Sequence, residues 1–217
     1  MISLSFQLQK KARLQVLCLG AHSDDIEIGC GGTILQLIAT YPEISIAWVV
    51  LSASSPKRKA EALESANALL SDVKHKKIMV EGFRDSFFPY MGMEIKQYFE
   101  TLKIIEPNLI FTHYRNDAHQ DHQLVSNLTW NTFRDHLILE YEIPKYDGDL
   151  GNPNVFVNLA EDICEDKSRH ILRHFKTQKQ KHWFRKDTFT AVARLRGIES
   201  GSLGKYAEAF YCRKILM

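Results

Sequence analysis

One histidine and three carboxylates lie within six consecutive positions, at His22, Asp24, Asp25 and Glu27. They follow an apolar run, residues 14–19, that is typical of a buried strand, and they precede residues 34–39, which continue as a helix. Carboxylates this close repel one another unless a cation or solvent compensates their charge. The cluster therefore indicates a functional site at a strand-to-helix turn.

A second group of these residue types lies in mid-chain, where His119 and His122 follow the apolar run 109–112. A spacing of three, as between His22 and Asp25, brings side chains to one side of a helical turn. Two imidazoles and one carboxylate, from His22, Asp25 and His122, form the ligand set of a catalytic zinc site with one position left for water. The same set suits Fe²⁺, so ligand type leaves both metals open.

The neighbouring groups supply acid–base chemistry for such a site. A bound divalent ion lowers the pKa of its water towards ~7, so Asp24 could remove the proton as general base. His119 as an imidazolium could stabilise an oxyanion, and Asp121 could hold that ring by a hydrogen bond and keep it protonated. Together these residues predict metal-assisted hydrolysis of an amide or ester.

The elements that must position these residues alternate between strand and helix. Strands are predicted at residues 14–19, 44–51, 77–80 and 109–112, and helices after the first strand and at 57–71, 95–105 and 119–133. This alternation predicts an α/β fold, a Rossmann-like three-layer sandwich with a mainly parallel sheet in the order 3-2-1-4-5. That order places strands one and four side by side, and ligands bind where the winding reverses, at the carboxyl ends of those strands. Both His/Asp groups follow these two strands.

The pattern is weaker beyond Ile138. It predicts a strand at 155–159, a helix at 161–175, a helix or turn at 189–196 and a closing strand at 207–213. Residues 144–153 form a loop long enough to border a site.

Composition limits the class of protein. With 217 residues, 45% of them hydrophobic, the chain fits one domain spanning residues 1–217. A net charge of +2 gives no case for a nucleic-acid partner. The four cysteines form no CxxC pair and are expected to be reduced core residues. The polar residues 1–13 argue against a signal peptide, and no apolar run approaches the ~18 residues of a membrane span. We therefore expect a cytoplasmic protein. The sequence leaves open whether this protein is a monomer or a homo-oligomer.

Three segments resemble the PIG-L/LmbE family of N-acetylglucosaminyl deacetylases: residues 21–25 (AHSDD), 29–33 (GCGGT) and 112–122 (THYRNDAHQDH). The resemblance implies an LmbE-like fold and removal of acetate from an N-acetylated sugar with one divalent metal, usually zinc. It also implies the roles derived above: metal ligands His22, Asp25 and His122, base Asp24, and His119 oriented by Asp121. The main departure is Ser23, where proline is usual, which leaves the turn less constrained but removes no functional group.

Fainter similarity extends along the chain. Arg58-x-x-Glu61 resembles the family's element on helix two, which implies that Arg58 contacts substrate. Residues 82–85 resemble its glycine-to-aspartate loop, which implies that Asp85 lies on the substrate side. Residues 207–210 resemble its C-terminal signature.

Each of these residues also has a structural alternative. Asp24 or Asp25 could cap the first helix, and Asp117 or Asp121 the fourth. Glu27 could be a first-turn acid favoured by the helix dipole, Arg58 could form a surface pair with Glu61, and Asp85 could shape its turn. Gly-x-Gly-Gly at 29–32 matches the dinucleotide fingerprint poorly, and acids before it would repel a pyrophosphate. His113 stays unassigned between a partner of the site and a packed strand end.

Residues 167–186 carry eight Lys/Arg residues and no acid. They form either a solvated helix face or a contact for an anionic part of the substrate, such as a phosphate. The sequence therefore predicts a metal-dependent, zinc-type deacetylase of an N-acetylated amino sugar. The alternatives are N-acyl hydrolysis of a non-sugar amide, iron-dependent oxidation on the same ligands, and a non-catalytic sugar-binding module.

Overall fold

The computed structural model describes residues 13–201 and 204–216, so residues 1–12, whose polarity argued against a signal peptide, lie outside the described part. The strands are β1 (Gln15–Gly20), β2 (Ser45–Val50), β3 (His75–Val80), β4 (Leu109–His113), β5 (Leu137–Tyr141), β6 (Val155–Leu159) and β7 (Tyr206–Cys212). The helices are α1 (Asp25–Thr40), α2 (Pro56–Leu69), α3 (Gly92–Thr101), α4 (Gln120–Thr132), α5 (Glu161–His174) and α6 (Lys186–Glu199).

These strands form one sheet in the order β3-β2-β1-β4-β5-β7-β6. The order of the first five strands confirms the predicted 3-2-1-4-5. These five strands run parallel, whereas β7 runs antiparallel to both β5 and β6. The sequence pattern does not locate β5, because this strand is short and carries Glu140 at a fully buried position. The region predicted as a helix or turn at 189–196 is the longer helix α6, and the helix predicted at 95–105 ends as a 3₁₀ turn, Leu102–Ile105.

Helices cover both faces of the sheet. Alternate residues of β1 point to opposite sides, so that Cys18 packs in the layer of α1, α2, α5 and α6, and Leu19 packs in the layer of α3 and α4. Each face has its own buried apolar cluster, which includes Trp48 on one face and Phe99 on the other. A central strand that is buried on both faces must be continuously apolar, as the β1 sequence is.

Close packing between α1 and the sheet explains the glycines of the first motif. A Cβ atom on Gly29 would lie 2.2 Å from the Tyr141 ring, and one on Gly32 would lie 2.6 Å from Leu159. The Tyr141 hydroxyl in turn donates to the Leu19 carbonyl at 2.6 Å. The glycines therefore let the helix approach β5 and β6, and the dinucleotide alternative is not needed to account for them.

Replacing Gly29 by alanine is expected to lower the free energy of unfolding by about 1–3 kcal/mol, because Tyr141 is buried and cannot retreat without disturbing the core. Gly31→Ala is the matched control in the same helix. Its Cβ would meet nothing closer than 3.8 Å, so it is expected to be neutral or to stabilise by up to about 1 kcal/mol. Urea unfolding of both variants measures the difference, and equal midpoints would refute this account of Gly29.

A buried ion pair holds the middle of α1. Lys167 Nζ lies 2.6 Å from Glu208 Oε1 and donates to the Ile28 carbonyl at 2.7 Å. The Glu208 carboxylate accepts the N–H groups of Gly32 at 2.9 Å and Thr33 at 2.7 Å. Residues from α5 and β7 thus bind the backbone of the helix that carries the first motif.

The remaining expectations concern the cysteines and the membrane. All four cysteines are unpaired, and Cys18, Cys30 and Cys164 are buried. Among the described residues, none of the helices has the length and apolar character needed to cross a bilayer.

Candidate metal centre and catalytic site

The two His/Asp motifs meet at one edge of the sheet. Strands β1 and β4 pair in parallel, so their carboxyl ends lie side by side. The loops that leave them, towards α1 and α4, bring His22 Nδ1 to 3.1 Å from His122 Nε2. One hundred positions separate these residues in the sequence.

Three donor atoms from the predicted ligands form a compact triangle. His22 Nδ1 lies 3.4 Å from Asp25 Oδ2, and Asp25 Oδ2 lies 3.5 Å from His122 Nε2. A tetrahedral ion with ligand bonds of about 2.0–2.1 Å has ligand atoms about 3.3–3.4 Å apart. Both the donor types and their separations therefore fit one divalent ion such as Zn²⁺ or Fe²⁺.

The other ring nitrogen of His22 faces two carboxylates. His22 Nε2 lies 3.3 Å from Asp121 Oδ2 and 3.3 Å from Asp85 Oδ1. Asp121 is itself fixed by the N–H groups of Ser86 at 2.7 Å and Phe88 at 3.1 Å. A carboxylate on one nitrogen sets the tautomer and orientation of a ligating histidine and leaves its other nitrogen free for the metal. Asp85, whose side chain is 43% exposed, also remains reachable from solvent.

His122 has an equivalent partner in Asp117. His122 Nδ1 lies 2.9 Å from Asp117 Oδ2, and both side chains are buried. Burial and the neighbouring His113 lower the pKa of His122 to about 3, so its ring is neutral at neutral pH, as a metal ligand must be. Sequence reasoning considered Asp117 only as a helix cap. Its place in the loop between strand four and His122 was the signal for this second role.

His113, which the sequence left unassigned, contacts both His/Asp motifs from the end of β4. Its Nε2 accepts the N–H of Ala21 at 2.9 Å, so this nitrogen is not free to bind a metal, although it lies 3.2 Å from Asp25 Oδ2. The His113 ring stacks on His122 with centroids 3.9 Å apart. His113 therefore fixes the start of the first motif and packs against the predicted ligand His122.

The charged groups around Asp25 and His22 shift the pKa values of both predicted ligands. Burial alone would raise the pKa of Asp25, but His122, His113 and His22 outweigh it and hold this pKa well below its usual range. Burial would lower the pKa of His22, but Asp25, Asp121 and Asp85 raise it well above its usual range. A cation bound by these residues would replace the proton as the compensating positive charge.

The structure differs from the prediction at His119 and Asp121. The Asp121 carboxylate binds Ser86, Phe88 and His22, and it is the Asp121 backbone N–H that donates to His119 Nδ1, at 3.2 Å. His119 is the N-cap of α4, which leaves Asp121 without the capping role. Burial, followed by the charge of His22, lowers the pKa of His119, which favours its neutral form over the predicted imidazolium. Because Nδ1 accepts the Asp121 N–H, a neutral ring would carry its proton on Nε2.

Asp24 and Arg58 form a direct ion pair. Arg58 Nη2 donates to Asp24 Oδ1 at 2.6 Å, and the Asp24 side chain makes no capping hydrogen bond to α1. Arg58 also lies 3.5 Å from Glu61 Oε2 and donates to Thr177 Oγ1 at 3.4 Å. Arg58 is therefore part of the site, where it holds the predicted base, and the surface-pair alternative fails because its side chain is only 12% exposed.

Glu27 lies in the first turn of α1, as the sequence allowed, and its side chain is buried. Burial raises the pKa of Glu27 to about 8, and Asp24 and Asp25 add to this effect. The Ser65 hydroxyl donates to Glu27 Oε1 and lies 2.9 Å from His170 Nε2. Glu27 is therefore a first-turn acid of α1 that is only 1% exposed and is bound by a serine hydroxyl.

The basic stretch divides into a helical part and a loop. Lys167 is buried in its pair with Glu208, whereas the connection between α5 and α6 exposes a set of cations, Lys176, Lys179, Lys181 and Arg185. Thr177 ties this loop to α2 through Glu61, which accepts the Thr177 N–H at 2.8 Å. The loop therefore lies beside Arg58 and the candidate base.

Solved structures share this fold over nearly the whole chain. N,N'-diacetylchitobiose deacetylase from Pyrococcus horikoshii has 22% identity and a TM-score of 0.72, with 94% of this chain and 85% of that chain covered. The conserved protein TT1542 from Thermus thermophilus has 19% identity and a TM-score of 0.73, with 94% and 96% covered. The 4-carboxy-2-hydroxymuconate hydratase GalB from Pseudomonas putida KT2440 has 16% identity and a TM-score of 0.71, with 94% and 98% covered. Because one of these proteins is a hydratase, fold alone does not set the reaction.

The sequence profile of the PIG-L family, described as GlcNAc-PI de-N-acetylase, matches residues 17–133. The matched segment runs from β1 to the end of α4 and contains both His/Asp motifs. Since it covers more than half of the chain, this protein belongs to the PIG-L family.

Proposed function

We propose that this protein is a metal-dependent hydrolase that removes acetate from an N-acetylated amino sugar. The observation that carries the proposal is the triangle of His22 Nδ1, Asp25 Oδ2 and His122 Nε2, with edges of 3.1–3.5 Å. The family description and the deacetylase name of the Pyrococcus relative support the substrate class.

His22, Asp25 and His122 would hold the metal, which we propose to be Zn²⁺, with Fe²⁺ as the other ion that suits these donors. When bound, a divalent ion polarises a carbonyl and makes water a stronger nucleophile at neutral pH. Asp121 and Asp117 orient the two ligating imidazoles from their far nitrogens.

The acid–base work falls to Asp24 and His119. Asp24, next to a ligand and held by Arg58, accepts the proton of the attacking water. His119 accepts the Asp121 N–H at Nδ1, so its Nε2–H is free to donate to the developing oxyanion. Asp24 then returns its proton to the leaving amine.

The direct test is metal content followed by acetate release from a panel of N-acetylated sugars and N-acetylated amino acids. We expect about one zinc or iron per chain and acetate only from sugars. Release of acetate only from the N-acetylated amino acids would show that the substrate is a non-sugar amide. Oxygen consumption with iron would indicate an oxidation reaction instead of hydrolysis. Tight sugar binding without turnover by metal-loaded protein would favour a binding module and overturn the proposal.

We extend the proposal to the substrate's charge, because four exposed cations lie on the α5–α6 loop beside Arg58. Lys179→Glu with Lys181→Glu is expected to raise KM about tenfold for a phosphorylated N-acetyl sugar and to leave KM for the neutral sugar nearly unchanged, since exposed charges act chiefly on charged ligands. Lys74→Glu with Lys103→Glu, at the opposite end of the strands, makes the same charge change as a control. Equal KM changes for both substrates would refute the anionic contact.

We also propose that residues 1–217 form one domain in the cytoplasm. Strands β5, β6 and β7 join the sheet of the family segment, and Glu208 and Thr177 bind α1 and α2. The unpaired cysteines support the cellular location.

A further inference from the structure

Lys145, on the loop between β5 and β6, lies at a junction of two carboxylates. Its Nζ is 2.9 Å from Asp117 Oδ2, and it also forms an ion pair with Asp149 and a 3.4 Å hydrogen bond to the Ile143 carbonyl. The Lys145 side chain is only 9% exposed, and Asp117 is 2% exposed. Without the ammonium, two largely buried carboxylates would face one another without compensation.

Both carboxylates also bind the segment that carries the mid-chain motif. Asp117 Oδ2, which contacts Lys145, is the atom that lies 2.9 Å from His122 Nδ1. Asp117 Oδ1 accepts the His119 N–H at 2.8 Å, and Asp149 Oδ2 accepts the Ala118 N–H at 2.7 Å. Through Asp117, Lys145 therefore contributes to the orientation of both the His122 ring and the His119 backbone.

The loop that carries Lys145 is anchored independently of the site. Glu142, just before it, is bound by Arg196 Nη2 at 2.7 Å and by the Tyr211 hydroxyl at 2.6 Å. The N–H of Gly151, near the other end of the loop, donates to the same carboxylate at 2.9 Å. A loop tied at both ends holds Lys145 at a fixed place and allows it to act as a support.

We propose that Lys145 is a positioning residue of the metal centre: it holds Asp117 against His122, so that His122 Nε2 points at His22 and Asp25. The inference rests on the proposed metal-dependent function but concerns a residue outside the segment that matches the family. Partners that orient ligating histidines typically contribute 10–100-fold to metal affinity, and Lys145 acts on such a partner.

The test is zinc and cobalt binding to metal-free protein, measured without substrate for wild type, Lys145→Met and Lys145→Arg. We expect Lys145→Met to weaken binding about tenfold and Lys145→Arg to recover most of it, since the guanidinium keeps the charge. Among metal-loaded proteins, Lys145→Met should lower kcat with little change in KM. Lys96→Met is the control, because that lysine has an ion pair with Glu100 and bonds Thr132 without contacting the site.

Unchanged metal affinity in folded Lys145→Met would overturn the inference, whatever the activity. If that variant does not fold, Lys145→Gln, which keeps a donor but no charge, is titrated in the same way. Wild-type protein that binds metal but releases no acetate would refute the proposed function and leave the Lys145 comparison intact, so the two failures are distinguishable.

Discussion

Asp24→Asn is expected to keep about one metal ion per chain and to lose about 10²–10⁴-fold in kcat, the usual contribution of a general base. The asparagine side chain keeps an oxygen for the 2.6 Å contact with Arg58 but cannot accept a proton. The ligands His22, Asp25 and His122 are unchanged, so metal binding and catalysis should separate. Elemental analysis and acetate release on the same preparation measure both quantities.

Arg58→Lys is the companion variant for this prediction. It keeps a cation near Asp24 but loses the guanidinium that also reaches Thr177 at 3.4 Å, so we expect a smaller loss than for Asp24→Asn. A metal-loaded Asp24→Asn enzyme that turns over at nearly the wild-type rate would remove Asp24 from the role of base.

His122→Ala is expected to lose both metal and turnover. Removal of one imidazole leaves two ligands, and metal affinity should fall by more than about 100-fold, since loss of an outer partner alone can cost that much. The variant also leaves Asp117 without the ring that lies 2.9 Å away. Metal titration of the apoprotein tests the ligand set directly.

His136→Ala controls for the loss of a partly buried histidine. That ring packs against Phe133 between α4 and β5 and belongs to neither motif. Wild-type metal affinity in His136→Ala together with full loss in His122→Ala would support the assignment. Full metal content in folded His122→Ala would remove His122 from the ligand set.

The sequence predicts that the two His/Asp motifs lie side by side, because this prediction needs only two local sequence patterns. Alternation of strand and helix predicts that β1 and β4 are neighbours, and a three-residue spacing places His22 and Asp25 on one side of a turn. The strand order 3-2-1-4-5 follows from the same rules. Neither rule depends on how the distant parts of the chain pack.

The partners of the ligands depend on packing and could not be predicted in the same way. Asp121 was expected to bind the ring of His119, two residues away, but the start of α4 turns its side chain towards Ser86 and Phe88 of another loop. Lys145 reaches Asp117 from a loop whose sequence has no regular pattern. Such contacts follow from the path of loops, for which the sequence offers no periodicity.

The ion pair of Lys167 and Glu208, which binds the backbone of α1, has a consequence for folding during protein synthesis. Glu208 lies on β7, the last strand among the described residues, yet it accepts N–H groups of Gly32 and Thr33 in α1. Contacts of such high sequence separation form late, because the intervening chain must be ordered first. During translation the segment with the proposed metal ligands emerges from the ribosome well before the strand that secures its helix. We therefore expect stable binding of the proposed metal to follow the synthesis of β7.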